Sequence, residues 1–166
     1  MRCGRRVWSY LLLTAFVLSG VNAQDRGERR NWYDDPFAQA THGYAACPPA
    51  EGPLLTQEEM RRQAHERVER GTSCWLEGRC EPGGAYKHDP EINERVRLVI
   101  ASDPRFRDTS VWLTTQAAFV TVEGCVRTCV QRRQLTAHVG ARPGVRSVID
   151  RMTIGLPTSS KSSSCR

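Results

Sequence analysis

Between Asp89 and Ile154 the apolar residues change period in a fixed order, and few folds satisfy that order. Ile92, Val96, Val99 and Ile100 fall on one helical face. Asp89-Pro90 suits a helix entry, and Pro104 closes the helix by disfavouring helical dihedrals at Asp103. Val111-Trp112-Leu113 and Phe119-Val120-Thr121-Val122 then alternate on either side of a short turn, which predicts a hairpin. Val111 and Leu113 should share a face, as should Val120 and Val122. After Gly124 a second helix is predicted, with Thr128 as its cap and Leu135 and Val139 turned inward, broken at Arg142-Pro143-Gly144. Val148, Met152 and Ile154 alternate on one face of a last strand, with Asp150 among them. Helix, strand, strand, helix, strand predicts an α+β sandwich with two helices on a three-stranded sheet.

The rest of the chain sets the compartment. Arg2, Arg5 and Arg6 precede an apolar run from Val7 to Leu18, and Val21-Asn22-Ala23 offers the small residues of a cleavage site. Residues 1–23 therefore read as an export signal, too short in its apolar run for a span of about 20 residues. The mature chain should carry no transmembrane span and lie in the periplasm. Residues 24–53 mix charge, Pro, Gly and isolated aromatics without a period and read as a disordered linker. Residues 54–88 hold an amphipathic helix and a cysteine-containing loop. Thr56 and Glu59 form a capping box, Met60, Ala64 and Val68 a narrow stripe, and Gly71 a stop signal. Residues 156–166 are a polar, serine-rich flexible tail.

Cys3 leaves with the signal, and the six remaining cysteines at 47, 74, 80, 125, 129 and 165 enter an oxidising compartment. Six cysteines allow 15 connectivities. Proximity favours Cys74 with Cys80 and Cys125 with Cys129. The second pair has three residues between its cysteines, not the two of a thioredoxin-type site, and a strand-to-helix turn would bring the two together. Cys47 and Cys165 remain unassigned.

At residues 89–155 the ordered pieces EINERVRLVIASDPRF, VWL, VTVEGCV and RPGVRSVIDRMTI resemble a BON domain, a small bacterial module named for an osmotically inducible periplasmic protein and for nodulation proteins. Gly124, Gly144, Val145, Val148 and Asp150 fall on the family pattern. The resemblance implies a non-catalytic binding or scaffolding module of the cell envelope, associated with phospholipid surfaces and with envelope or osmotic stress. It covers one copy. Cys125 and Cys129 are additions to the pattern.

Side chains that could carry function are then few. No G-x-S-x-G elbow is present, and no paired C-x2-C knuckles suggest a metal. Neither a metal nor a cofactor is expected. The formal charge is +6, half of it carried by Arg2, Arg5 and Arg6, a modest balance that makes nucleic acid a poor partner for an exported chain. Arg127, Arg132, Arg133, Arg142, Arg146 and Arg151 are the candidate anionic-surface set, because guanidinium forks match phosphate oxygens. Their solvated-face alternative stays open. Trp112 and Phe119 are candidate interfacial anchors. The expected partner is anionic phospholipid or another envelope protein docked at a sheet edge; a cysteine-based thiol enzyme is the rival of another class.

Overall fold

The computed structural model describes residues 27–82 and 84–155. The export signal at 1–23 and the tail at 156–166, with Cys3 and Cys165, lie outside these residues. The chain runs β1 (Phe37–His42), α1 (Gln57–Leu76), α2 (Asp89–Ser102), a 3-10 turn (Pro104–Phe106), β2 (Ser110–Gln116), β3 (Phe119–Val126), α3 (Cys129–Gly140) and β4 (Ser147–Ile154). The α+β class stands, but the sheet has four strands in the order β1-β2-β3-β4 rather than three. β1 and β3 are antiparallel to β2, and β4 runs parallel to β3.

The predicted elements form for the predicted reasons. Ile92, Val96 and Ile100 from α2 and Leu135 and Val139 from α3 meet Val111, Leu113, Val120, Val122 and Met152 in one core with Phe106. Each such side chain contributes about 1.5–3 kcal/mol when fully buried. The Thr128 side chain accepts from Gln131 N and starts α3. The β2–β3 turn is Ala117-Ala118, both with positive φ (52° and 66°), as a two-residue hairpin turn matched to strand twist requires. These are alanines, not the customary Asn-Gly, and Asp89 meets the need. Its buried carboxylate accepts from Ala117 N at 2.6 Å and Ala118 N at 2.8 Å.

Two glycines of the family pattern have backbone reasons. Gly124 has φ +123°, and a Cβ there would sit 2.2 Å from the Ser110 carbonyl oxygen. At Gly144 (φ +85°), a Cβ would come within 3.2 Å of Ile92. Val145 and Val148 are half-buried against the same core.

Two expectations are corrected here. Residues 27–53 contain a strand where a disordered linker was expected: Phe37–His42 pairs with β2, and the segment after it covers the sheet's other face. Its sequence, FAQATH, buries only Ala40 and Thr41, so no alternating apolar pattern announces it. The helix at 57–76 has the expected Thr56–Glu59 capping box but continues through Gly71 and takes in Cys74. It buries no residue, and Val68 is 67 % exposed. A polar node docks it instead. Arg67 forks onto Asp35 at 2.6 and 3.0 Å, Gln116 donates to the same carboxylate at 2.6 Å, and the guanidinium lies over the rings of Tyr33 and Tyr86 at 4.0 and 4.4 Å.

Candidate anionic-surface site

The six candidate arginines do not form one patch. Parallel pairing sets Phe119 beside Ser147 and Val126 beside Ile154, so Arg127, just beyond β3, and Arg146, just before β4, lie at opposite ends of the sheet. The seven strand steps from Phe119 to Val126, at about 3.3 Å each, put these two ends of the sheet about 23 Å apart. Arg132 and Arg142 are held within the fold. Arg132 Nε donates to Asp150 at 2.8 Å, with both side chains about three-quarters buried, and Arg142 Nε donates to the His138 carbonyl at 3.0 Å. Arg151 is exposed on β4 at the register of Glu123.

What gathers near the start of α3 is a smaller set. Arg127 is exposed, stacks over Tyr44 at 3.5 Å and donates through Nε to the Asp108 carbonyl at 3.1 Å. Asp108 Oδ2 stands 3.9 Å from it, a loose pair. Arg133 is exposed and forms no ion pair among the described residues. Val130, between them in sequence, is 53 % exposed. The start of α3 thus has an exposed apolar side chain with an exposed arginine three residues away on either side in the sequence. The candidate anchors Trp112 and Phe119 are otherwise occupied. Trp112 is buried with Cys47 and Cys125 under Tyr44 and Ala50, and the Phe119 ring lies beneath Arg146 at 5.2 Å.

Asp150 has a role that the strand pattern did not reveal. Oδ2 takes Arg132 and the Thr136 hydroxyl, while Oδ1 accepts from Met152 N at 3.0 Å. Gly155 N reaches Val126 O across the ladder, so by alternation the Met152 amide points to the open side of β4. The carboxylate therefore caps an edge donor in mid-strand, a device that discourages another strand from pairing there.

The cysteines correct a further expectation. Cys125 pairs with Cys47, 78 residues away, with Cα atoms 5.8 Å apart; it does not pair with Cys129. Once β1 is in the sheet, the return segment carries Cys47 to the face where Cys125 points, and Cys125 ends a strand with its side chain on the side away from α3. Cys129 opens α3 and is itself disulfide-bonded. Cys74 and Cys80 pair as expected, their Cα atoms 5.4 Å apart. Among the described residues no group of three His, Cys, Asp or Glu side chains is placed to hold a metal ion, and no helix is long and apolar enough to cross a membrane.

A scan against family models matches the BON domain at residues 88–155. That segment is a BON domain. No curated protein and no solved structure matches the chain. The match begins one residue before α2 and ends one residue after β4, so β1, α1 and the Cys74–Cys80 loop are additions to the BON domain. The family is bacterial and generally non-catalytic, and the Cys47–Cys125 and Cys74–Cys80 disulfides fit an exported chain.

Proposed function

We propose that the protein is a non-catalytic binding module of the bacterial periplasm that rests reversibly on anionic phospholipid surfaces through the first turn of α3. The observation that carries this reading is the exposed Val130 with the exposed Arg127 and Arg133 three residues to either side of it in the sequence. An apolar side chain among basic ones suits the boundary between headgroups and acyl chains. Each basic residue near an anionic bilayer contributes about 1 kcal/mol, enough for reversible attachment without a lipid anchor. A role in envelope or osmotic stress is part of the same proposal, supported by the family relation alone.

The protein-docking alternative, through a sheet edge, is disfavoured at the β4 edge by the Asp150 cap on Met152. The thiol-enzyme alternative is disfavoured because Cys47 and Cys125 are buried and joined. Vesicle flotation tests the reading. Binding to vesicles containing phosphatidylglycerol should exceed binding to phosphatidylcholine vesicles at low salt and fall at 1 M, where the Debye length is about 3 Å. Equal binding to both, or none to either, would reject it.

A further inference from the structure

At the opposite end of the sheet, the loop closed by Cys74–Cys80 stands off from the BON domain and leaves a cleft of about 590 Å³. That volume lies within the range of about 300–1,000 Å³ typical of small-molecule sites. Its domain wall is apolar where Ile92, Ala117 and Ala118 line it. Gly144 keeps this wall open, since a side chain there would press on Ile92 and approach Arg95 Nη1 at 3.7 Å.

The charges around the cleft are unequally satisfied. Glu81 is taken by Lys87 Nζ at 2.9 Å, and Glu91 lies 3.5 Å from His88 Nδ1. Arg79 is paired with Glu77. Arg95 and Arg146 form no ion pair among the described residues. Arg95 spends Nη1 on the Pro143 carbonyl at 2.8 Å, which holds its guanidinium at the rim. Arg146 lies over Phe119 and is fixed at its backbone by the bond from its N–H to Ala118 O at 2.8 Å. Two positioned guanidiniums thus reach the same cleft with donors to spare, beside an apolar wall.

We propose that this cleft binds a small organic oxyanion, a phosphate ester with a compact apolar body, with Arg95 and Arg146 on the phosphate and Ile92, Ala117 and Ala118 against the body. A guanidinium supplies paired N–H donors that match phosphate oxygens. The disulfide-closed loop is the chain's own addition to the family domain, and it makes a pocket of what would otherwise be an open end. The site is independent of the α3 surface and stands whether or not the protein binds membranes.

The test is an amide NMR titration of the full chain, purified without reductant, with phenyl phosphate, inorganic phosphate and phosphatidylglycerol bicelles in separate arms. Phenyl phosphate should shift the amides of Ala117, Ala118, Gly144 and Arg146 and saturate, and inorganic phosphate should bind more weakly for want of the apolar contact. Arg95→Gln with Arg146→Gln should weaken phenyl phosphate by about tenfold or more while leaving the spectrum dispersed. Arg146→Gln alone, which spares the bond to Pro143, should weaken it by a smaller factor. Cys74→Ser with Cys80→Ser should also weaken binding, because the loop is no longer closed. Shifts no larger than those from sodium chloride at equal ionic strength, or equal affinity in the double arginine variant, would overturn the proposal. So would shifts at these amides from bicelles but not from phenyl phosphate, which would identify the ligand as a headgroup held in a membrane.

Discussion

Asp89 shows how one side chain can replace a sequence signal. Alanine in the left-handed region costs about 1–2 kcal/mol per residue, and the hairpin has two such residues, at 117 and 118. The carboxylate compensates with two amide bonds, each of a class contributing about 1.5–3 kcal/mol. Asp89→Ala should lower stability by about 3 kcal/mol in urea unfolding, and Ala118→Gly should raise it by up to about 1 kcal/mol. Burial pushes the Asp89 carboxyl above its ordinary range, against the pull of the two amides. Its contribution to stability is thus largest at acid pH and declines as pH rises from about 3.8 through its folded value. Two other groups act in the reverse sense. His138 is held below 6.5 by burial first and then by Arg142, and its Nδ1 lies 3.5 Å from Arg105 Nη2, a placement that needs an unprotonated nitrogen. The Arg105 guanidinium beside Asp103 holds that carboxyl down to about 2. Both folded values are depressed, so stability is lost as pH falls, first below 6.5 as His138 charges and then between 3.8 and about 2 as Asp103 protonates. Melting temperature against pH should show both losses. His138→Gln should remove only the first, and a curve unchanged by it would refute the assignment.

At the scale of elements, local pattern was legible and long-range attachment was not. α2, the β2–β3 hairpin, α3 and β4 carry their own periods, and the Thr56 and Thr128 caps are visible in the sequence. β1 is not, because Gln39 and Thr41 alternate with nothing strongly apolar and the strand exists through pairing with β2 some 70 residues later. The Cys47–Cys125 bond escaped for the same reason, since closeness in sequence favoured Cys129 while the sheet put Cys47 in reach. The arginine set misled in another way: parallel β3 and β4 send its members to both ends of the sheet, a fact of topology that composition does not contain. Two experiments address these attachments. Non-reduced peptide mapping should recover a Cys47–Cys125 peptide, and Cys47→Ser with Cys125→Ser should cost about 4.5 kcal/mol, the chain-entropy value for a loop of this length. A Cys125–Cys129 peptide would contradict the fold. Arg67→Leu leaves Asp35 buried without its main partner and should cost about 3 kcal/mol. Hydrogen exchange should then rise throughout residues 57–76 while α2, β3 and α3 stay protected; uniform loss would mean that α1 and the domain unfold together.

For the whole molecule, two basic ends about 23 Å apart make different demands on a partner. The α3 end carries the exposed Arg127, Val130 and Arg133 at the start of a helix, which suits a broad charged surface, whereas Arg95 and Arg146 line the cleft beside the disulfide loop. A flat bilayer meets the first more readily than the second. Arg127→Gln with Arg133→Gln should therefore cost about 2 kcal/mol of attachment to phosphatidylglycerol vesicles, a loss of about 30-fold in partitioning at low salt. Arg95→Gln with Arg146→Gln removes the same formal charge and should leave partitioning within about twofold, because those side chains lie more than two Debye lengths from the bound surface at 0.1 M salt, where that length is about 10 Å. Val130→Ser should reduce attachment by a factor that persists at high salt, since it removes apolar rather than ionic contact. Equal losses from both arginine pairs would mean that net charge alone drives binding and that no end is preferred; a larger loss from the Arg95 and Arg146 pair would reverse the orientation and place the cleft against the membrane.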